Sequence, residues 1–451
     1  MAAQAVLTPA VAAFVSINQP VVALEHIRVI DGTGATPRED QTLVITDGRI
    51  TALGASMQVT VPRGARRVDL TGKSLIPGLV GMHEHLFYPT GDDGLTFTPQ
   101  PVTFPRLYLA GGVTTARTGG TFDPQADLNV KREIDDDRAP GPALLVTAGY
   151  LEGPRLASPQ MVSIRTPADA RGFVEYWASR GAHSFKAYTH ISRAALTEAV
   201  KAAHERGLTI TGHLCSVTFR EAAEMGIDNL EHGFLVASDW VASKRANNCP
   251  AQQSQAFTTL DVRDARVQDL IRLLVEKRVA ITSTLAVTEL PAVESRFRDA
   301  LAPATFQVYV TRRQRIGGLG AISFPDTRKE AELERAFVAA GGLLMAGADP
   351  TGDGQVLPGF GDQRNIEMLV EGGFTPLEAI RIATLNGARF MRMDDRIGSI
   401  AVGKQADLVV LDGNPVERIA DIRRVVTVFK NGVGYDSAKL LESVRGRVGL
   451  N

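Results

Sequence analysis

Between Val21 and Gly78, apolar and polar positions alternate over short runs: VVALEHIRVIDG, QTLVITDGRITALG and RRVDLTGKSLIPG. Turn pairs such as Asp31-Gly32 and Asp47-Gly48 separate them. A period of two puts one face of each run on a core, so this segment predicts a small all-β unit. The pattern returns near the other chain end in GSIAVGKQADLVVLDG and VVTVFKNGVGYD. About 50 residues on either side make a thin core alone. The expected arrangement is therefore one β-sandwich domain formed by both chain ends, residues 21–75 plus 395–451, with two separate β-lobes as the alternative. Residues 1–20, apolar and rich in small side chains, read as an N-terminal arm or a signal remnant.

The pattern changes at Gly78. Short apolar runs of strand length, GGVTTARTGG, PALLVTAGY, HSFKAYTH, LTITGHLC, IDNLEHGF, VAITSTLAV and GGLLMAGAD, alternate with helical stretches such as RAALTEAVKAAHERG and FREAAEMG. With the run ending at His83, they predict an α/β fold, a (β/α)8 TIM-type barrel over residues 76–394. Two stretches break the rhythm: 87–105, directly after the first strand, and the arginine-containing 289–326. Long connections of this kind belong to the active-site face of a barrel.

Composition narrows the partners. The 451 residues carry 49 Lys+Arg against 50 Asp+Glu, a net charge of −1. This gives no electrostatic reason to expect nucleic acid or an anionic membrane. No run is long and apolar enough to read as a transmembrane helix. The compartment stays open between cytoplasmic and exported, because the N-terminal stretch lacks the basic start of an export signal. Cys215 and Cys249 form no CxxC pair and predict no disulfide framework. Cys215 reads as a buried small hydrophobe.

Against this plain background, one stretch stands out: LIPGLVGMHEHL, with His83 and His85 one residue apart at a strand end, in a chain of 8 histidines. Alternate residues of a strand share a side, so the two imidazoles project together and can grip one divalent cation. A chance pair on a surface turn is the plain alternative. Lys186, His213, His232 and Asp349 occupy similar places on other repeats. Singly, each has an ordinary reading: a snorkelling lysine, core histidines, a turn aspartate. Together, residues of ligand chemistry at five strand ends point to a metal centre.

The entry PGLVGMHEH, the strand SFKAY, the GH at His213, the EHG at His232, the GADP aspartate and the exit TPLEAIRIATLNGARFM…GSIAVGKQADLVVLD resemble the amidohydrolase superfamily over nearly the whole chain. The likeness is to the branch of imidazolonepropionase-like proteins, Xaa-Pro dipeptidases and ochratoxin amidases. It implies that His83, His85 and Asp349 hold one metal and that His213 and His232 hold a second. Lys186, as N6-carboxylysine formed with CO2, would bridge the two. Both ions would be divalent, zinc first. A water made acidic by the pair would attack a carbonyl carbon, with Asp349 as the catalytic proton carrier.

The implied reaction is hydrolysis of a C–N amide bond in a small molecule: an N-acyl amino acid, a dipeptide-like or an ochratoxin-like amide. Opening of a cyclic amide or imidazolone ring is the alternative, and an inactive binding protein is a third reading from another class. A homo-oligomer is the default assembly. Tyr188 and His190 would share a side with Lys186 if that strand stays extended, and are candidate substrate contacts. Arg117, in TTARTGG, is followed by Thr118 where relatives often carry Asp, and is given no catalytic role. Glu231 is expected to orient the ligand shell; His183 and His204 read as structural. Arg296, Arg298, Arg312 and Arg313 could meet a substrate carboxylate or form a solvated helix face.

Overall fold

The alternating runs at the two chain ends pair with each other in the computed structural model, which describes residues 7–90, 96–289, 295–318, 327–351 and 356–449. Leu408–Leu411 lies antiparallel to Ser74–Pro77, with Val409 opposite Ile76. That junction joins both ends into one nine-stranded sheet. Its core is aliphatic: Val22, Leu24, Ile27, Leu43, Ile45, Leu75, Leu408 and Val410, closed by Phe429. Val15–Ile17, in the stretch expected as an arm or signal remnant, is itself a strand of this sheet, antiparallel to Val433–Asp436. Its burial alternates along the strand, with Ile17 facing the core.

The strands between the sheet's two halves include β1 (Leu79–Glu84), β2 (Val113–Thr118), β3 (Thr147–Glu152), β4 (Ser184–Ala187), β5 (Thr209–Gly212), β6 (Asn229–Glu231), β7 (Ala280–Ser283) and β8 (Leu344–Ala346). β1 pairs in parallel with β2, and β3 through β8 pair in parallel in chain order. Beyond β8, the Asp349 N–H donates to the His83 carbonyl at 2.9 Å, bringing the last strand's end against the first. The run PALLVTAGY is broken in two: Ala143–Leu145 pairs with β2, while β3 pairs with β4. At the break the Thr147 N–H donates to the Thr118 hydroxyl at 2.8 Å, a side chain standing in for the ladder carbonyl.

Helices fill the connections, with the caps that their sequences carry. Ser192 caps Arg193–His204 by accepting the Ala195 N–H, and Thr218 and Glu221 form a capping box at Phe219–Met225. No helix among the described residues is long and apolar enough to cross a membrane.

The cysteines require a correction. Cys215 and Cys249 are bonded, with Cα atoms 4.9 Å apart and 34 positions between them in sequence. The bond ties the segment after β6 to the end of β5. Spacing rules for metal and redox motifs do not detect such a pair, because it is made by folding.

Candidate metal centre

Strand geometry places the ligand candidates. His83 and His85 are both buried at the end of β1 and both face Asp349, whose Oδ1 lies 3.5 Å from His83 Nε2 and 3.0 Å from His85 Nε2. The ligand atoms of these three residues lie within 4.8 Å of one another. Lys186 on β4 brings its Nζ to 3.0 Å from His83 Nε2. His213 directly follows β5 and His232 directly follows β6; their ring centroids are 4.5 Å apart. His232 Nδ1 lies 3.5 Å from Asp349 Oδ2 and 2.8 Å from the Thr284 hydroxyl.

Two residues reach these positions through a backbone that favours glycine. Asp349 has φ 49° and His232 has φ 66°. Left-handed conformations of this kind are uncommon outside glycine and tend to mark functional sites. A second constraint sits in TTARTGG. A Cβ on Gly119 would come within 2.4 Å of the His83 ring, and one on Gly120 within 2.6 Å of Tyr150. Bare backbone at both positions lets the loop after β2 lie directly against the site.

A hydrogen bond fixes the tautomer of His85. His85 Nδ1 lies 2.8 Å from the Gly120 carbonyl, which can only accept, so Nδ1 carries the hydrogen and Nε2 the lone pair. That lone pair faces the Asp349 carboxylate. Burial, the largest influence, pushes the His85 imidazole down to about 4, so at neutral pH no proton fills the gap. His83 Nδ1 lies 2.7 Å from Glu231 Oε2, while its Nε2 faces both the Lys186 amine at 3.0 Å and Asp349 Oδ1 at 3.5 Å. Acceptors turned on one another in a buried site fit a cation between them. Burial also pushes His213 down to about 3 and Lys186 down to about 8.

A buried ion pair supports this set from behind. Arg117 is 1% exposed; its Nη2 donates to Glu231 Oε1 at 2.6 Å, and its Nε donates to the Met82 carbonyl at 2.9 Å. Glu231 thus holds His83 with one oxygen and Arg117 with the other. Orientation of a ligand imidazole by a carboxylate is a common device at metal sites. Burial would raise the Glu231 carboxyl, but His83 and Arg117 hold it well below its ordinary value.

The comparisons with known proteins agree with this geometry. The amidohydrolase family profile matches residues 74–434. The chain belongs to the amidohydrolase family. As such it is a hydrolase of carbon–nitrogen bonds, with a fold of TIM-barrel type. An imidazolonepropionase of Mycolicibacterium smegmatis is 25% identical over 441 residues, spanning 87% of this chain and 90% of that protein. An imidazolonepropionase of Saccharopolyspora erythraea is 32% identical over 134 residues, 29% of this chain and 33% of that protein. Among solved structures, a putative prolidase from Bifidobacterium longum is similar with a TM-score of 0.69 at 23% identity, covering 94% of this chain and 98% of that one. An A. niger ochratoxinase gives 0.66 at 19% identity, covering 95% and 99%.

The remaining expectations for this amidohydrolase separate. Tyr188 borders the metal candidates, its ring 4.8 Å from that of His213. His190 departs from the expected alignment, because β4 ends at Ala187 and the chain then turns. Its backbone N–H donates to Glu152 Oε1 at 2.7 Å, and its Nδ1 lies 3.4 Å from the other oxygen. His204 pairs with Asp228 at 3.0 Å, consistent with a structural role. Arg298 is exposed, its guanidinium 5.1 Å from the Phe306 ring centre. The side chains of Arg296, Arg312 and Arg313 lie outside the described residues. Arg117 is the residue that sequence reasoning undervalued. The signal available was a charged side chain inside a strand of otherwise uncharged residues, two before a glycine pair.

Proposed function

We propose that the protein hydrolyses the C–N amide bond of a small molecule, an N-acyl amino acid or a dipeptide-like or ochratoxin-like amide. In this reading His83, His85 and Asp349 hold one zinc ion. His213 and His232 hold a second, and Lys186 carries an N6-carboxylate between them. Bound there, the ions supply polarisation of the carbonyl oxygen and acidification of the attacking water. The observation that carries the reading is the convergence of buried ligand atoms of His83, His85 and Asp349 within 4.8 Å of one another. Lys186 supports the bridging role: a buried amine with lowered basicity has the neutral form that adds CO2.

The chain's own residues then divide the work. Asp349, kept as a carboxylate, takes the proton of the attacking water and passes it to the departing nitrogen. A C–O bond forms, the C–N bond breaks, and a carboxylic acid and an amine leave. Glu231 and Arg117 keep the His83 ring in place through the cycle, and Thr284 does the same for His232.

The imidazolonepropionase relatives favour a second reading, opening of a cyclic amide or imidazolone ring at the same residues. One experiment separates the two. The metal-loaded protein is incubated with N-acyl amino acids, dipeptides and cyclic amides, and products are followed by mass spectrometry. Two fragments from a linear amide, abolished by a chelator, support the first reading; a single ring-opened product with no linear turnover supports the second. Turnover of neither class contradicts both.

A further inference from the structure

The imidazoles of the metal centre form half of a closed circuit of rings. His85, His83, His232 and His213 follow one another with centroid separations of 5.3, 4.7 and 4.5 Å. From His213 the circuit continues through Tyr188, Tyr150, Phe122 and Phe87, at successive separations of 4.8, 4.9, 5.1 and 4.7 Å. It closes on His85 at 4.5 Å. Phe97 adds a second layer, stacked on Phe122 at 4.5 Å with an interplanar angle of 11°. One arc of the circuit therefore offers nitrogen ligands and the other offers aromatic carbon.

The aromatic arc is assembled from distant parts of the sequence. Phe87 and Phe97 stand on the hairpin after β1, Phe122 in the loop after β2, Tyr150 on β3 and Tyr188 just beyond β4. Phe97, Phe122 and Tyr188 keep part of their surface accessible, as does His213. Phe87 and Tyr150, against which they pack, are buried. Neighbouring rings of the arc are inclined by 66°, 52° and 58°, so they meet one another tilted or edge to face rather than stacked. An aromatic guest lying on the accessible rings can pair its own edge or face in the same way; an alkyl chain gains only the contact area.

We propose that this arc is an aryl-binding subsite, and that the natural substrate carries an aromatic ring one or two bonds from the scissile carbonyl. This rests on the reading of the site as a C–N hydrolase and names the substrate class that the site selects. The arc touches the ligand set at both ends, His85 and His213, so a carbonyl held among the imidazoles places its near substituent against these rings.

The test compares matched pairs on the metal-loaded protein: N-benzoylglycine and N-phenylacetylglycine, each against N-acetylglycine. At least one aryl member is expected to exceed its alkyl partner in kcat/KM by about tenfold or more. Phe122→Leu and Phe97→Leu, which keep apolar bulk and lose the ring, are expected to shrink that ratio severalfold while metal content stays at the wild-type level. Phe97→Leu lies on the hairpin and serves if Phe122→Leu does not fold. Alkyl turnover with no aryl preference overturns the subsite and leaves the hydrolase reading standing. Turnover of no amide overturns the hydrolase reading. The subsite is then judged by calorimetric binding of phenylacetate against acetate, where equal affinities overturn it and aryl preference supports it.

Discussion

The terminal sheet and the barrel mouth bury very different things. The sheet's core is aliphatic side chains closed by one phenylalanine. The mouth buries His83, Glu84, His85, Arg117, Lys186, Glu231, His232 and Asp349. Desolvated charges are costly unless paired, and even paired ones often contribute less than apolar groups of the same size. The sheet is thus built for stability, and the mouth gives some stability up for chemistry. Substitutions in the two regions should separate the two properties.

The largest effect belongs to the mouth. Asp349→Asn is expected to lower kcat/KM by roughly 10²–10⁴-fold, and His85→Ala to lose metal as well, with both variants folded and, compared metal-free, melting at or above wild type. A parallel loss of fold by circular dichroism would break the comparison. Leu24→Ala, in the sheet core, should do the reverse. Cavity formation removes about 2–5 kcal/mol of stability in denaturant titration, with kcat unchanged. Reduced turnover at full occupancy of the native state would mean that the sheet reaches the site.

The Cys215–Cys249 bond lies between these extremes, since it constrains the unfolded chain while anchoring the segment beside His213. Its removal by Cys249→Ser is expected to cost about 2–4 kcal/mol, read by thermal melts with and without reductant. Free-thiol titration of the native protein should find both sulfurs unreactive. Glu231→Gln weakens the support behind His83, and metal retention against a chelator should fall about 10–100-fold.

The smallest effect is a pH signature. Burial pushes Asp127, beside the mouth, up to about 8, and Asp407, in the sheet region, up to about 6, from an ordinary 3.8. Both folded values lie above the unfolded one, so the folded state keeps the proton longer. The stability this contributes is complete below about 4 and is lost as pH rises, through about 6 for Asp407 and through about 8 for Asp127. Asp127→Asn should flatten the decline between about 6 and 8 by about 2 kcal/mol, and Asp407→Asn by far less.

Much of this division was legible in the chain itself. Period-two alternation announced both halves of the terminal sheet. The ligand candidates were legible because each stands at a strand end, where sequence position alone sets direction. What escaped depends on distance in sequence. Arg117 and Glu231 are 114 positions apart, and the cysteines 34. His190 was misplaced because extension was carried past Ala187, where β4 stops. The aromatic arc draws on five separate segments, so no local pattern could announce it. Val15–Ile17 is only three residues long, too short for its alternation to separate a strand from an apolar arm.

The most direct test of the central claim is elemental analysis of metal in freshly purified wild-type protein, beside His85→Ala and Lys186→Ala. The account expects about two divalent ions per chain in the wild type, fewer in each variant, and amide hydrolysis that disappears with a chelator and returns with zinc and bicarbonate. Wild-type protein that binds no metal under these conditions, or variants that keep the full complement, would contradict it.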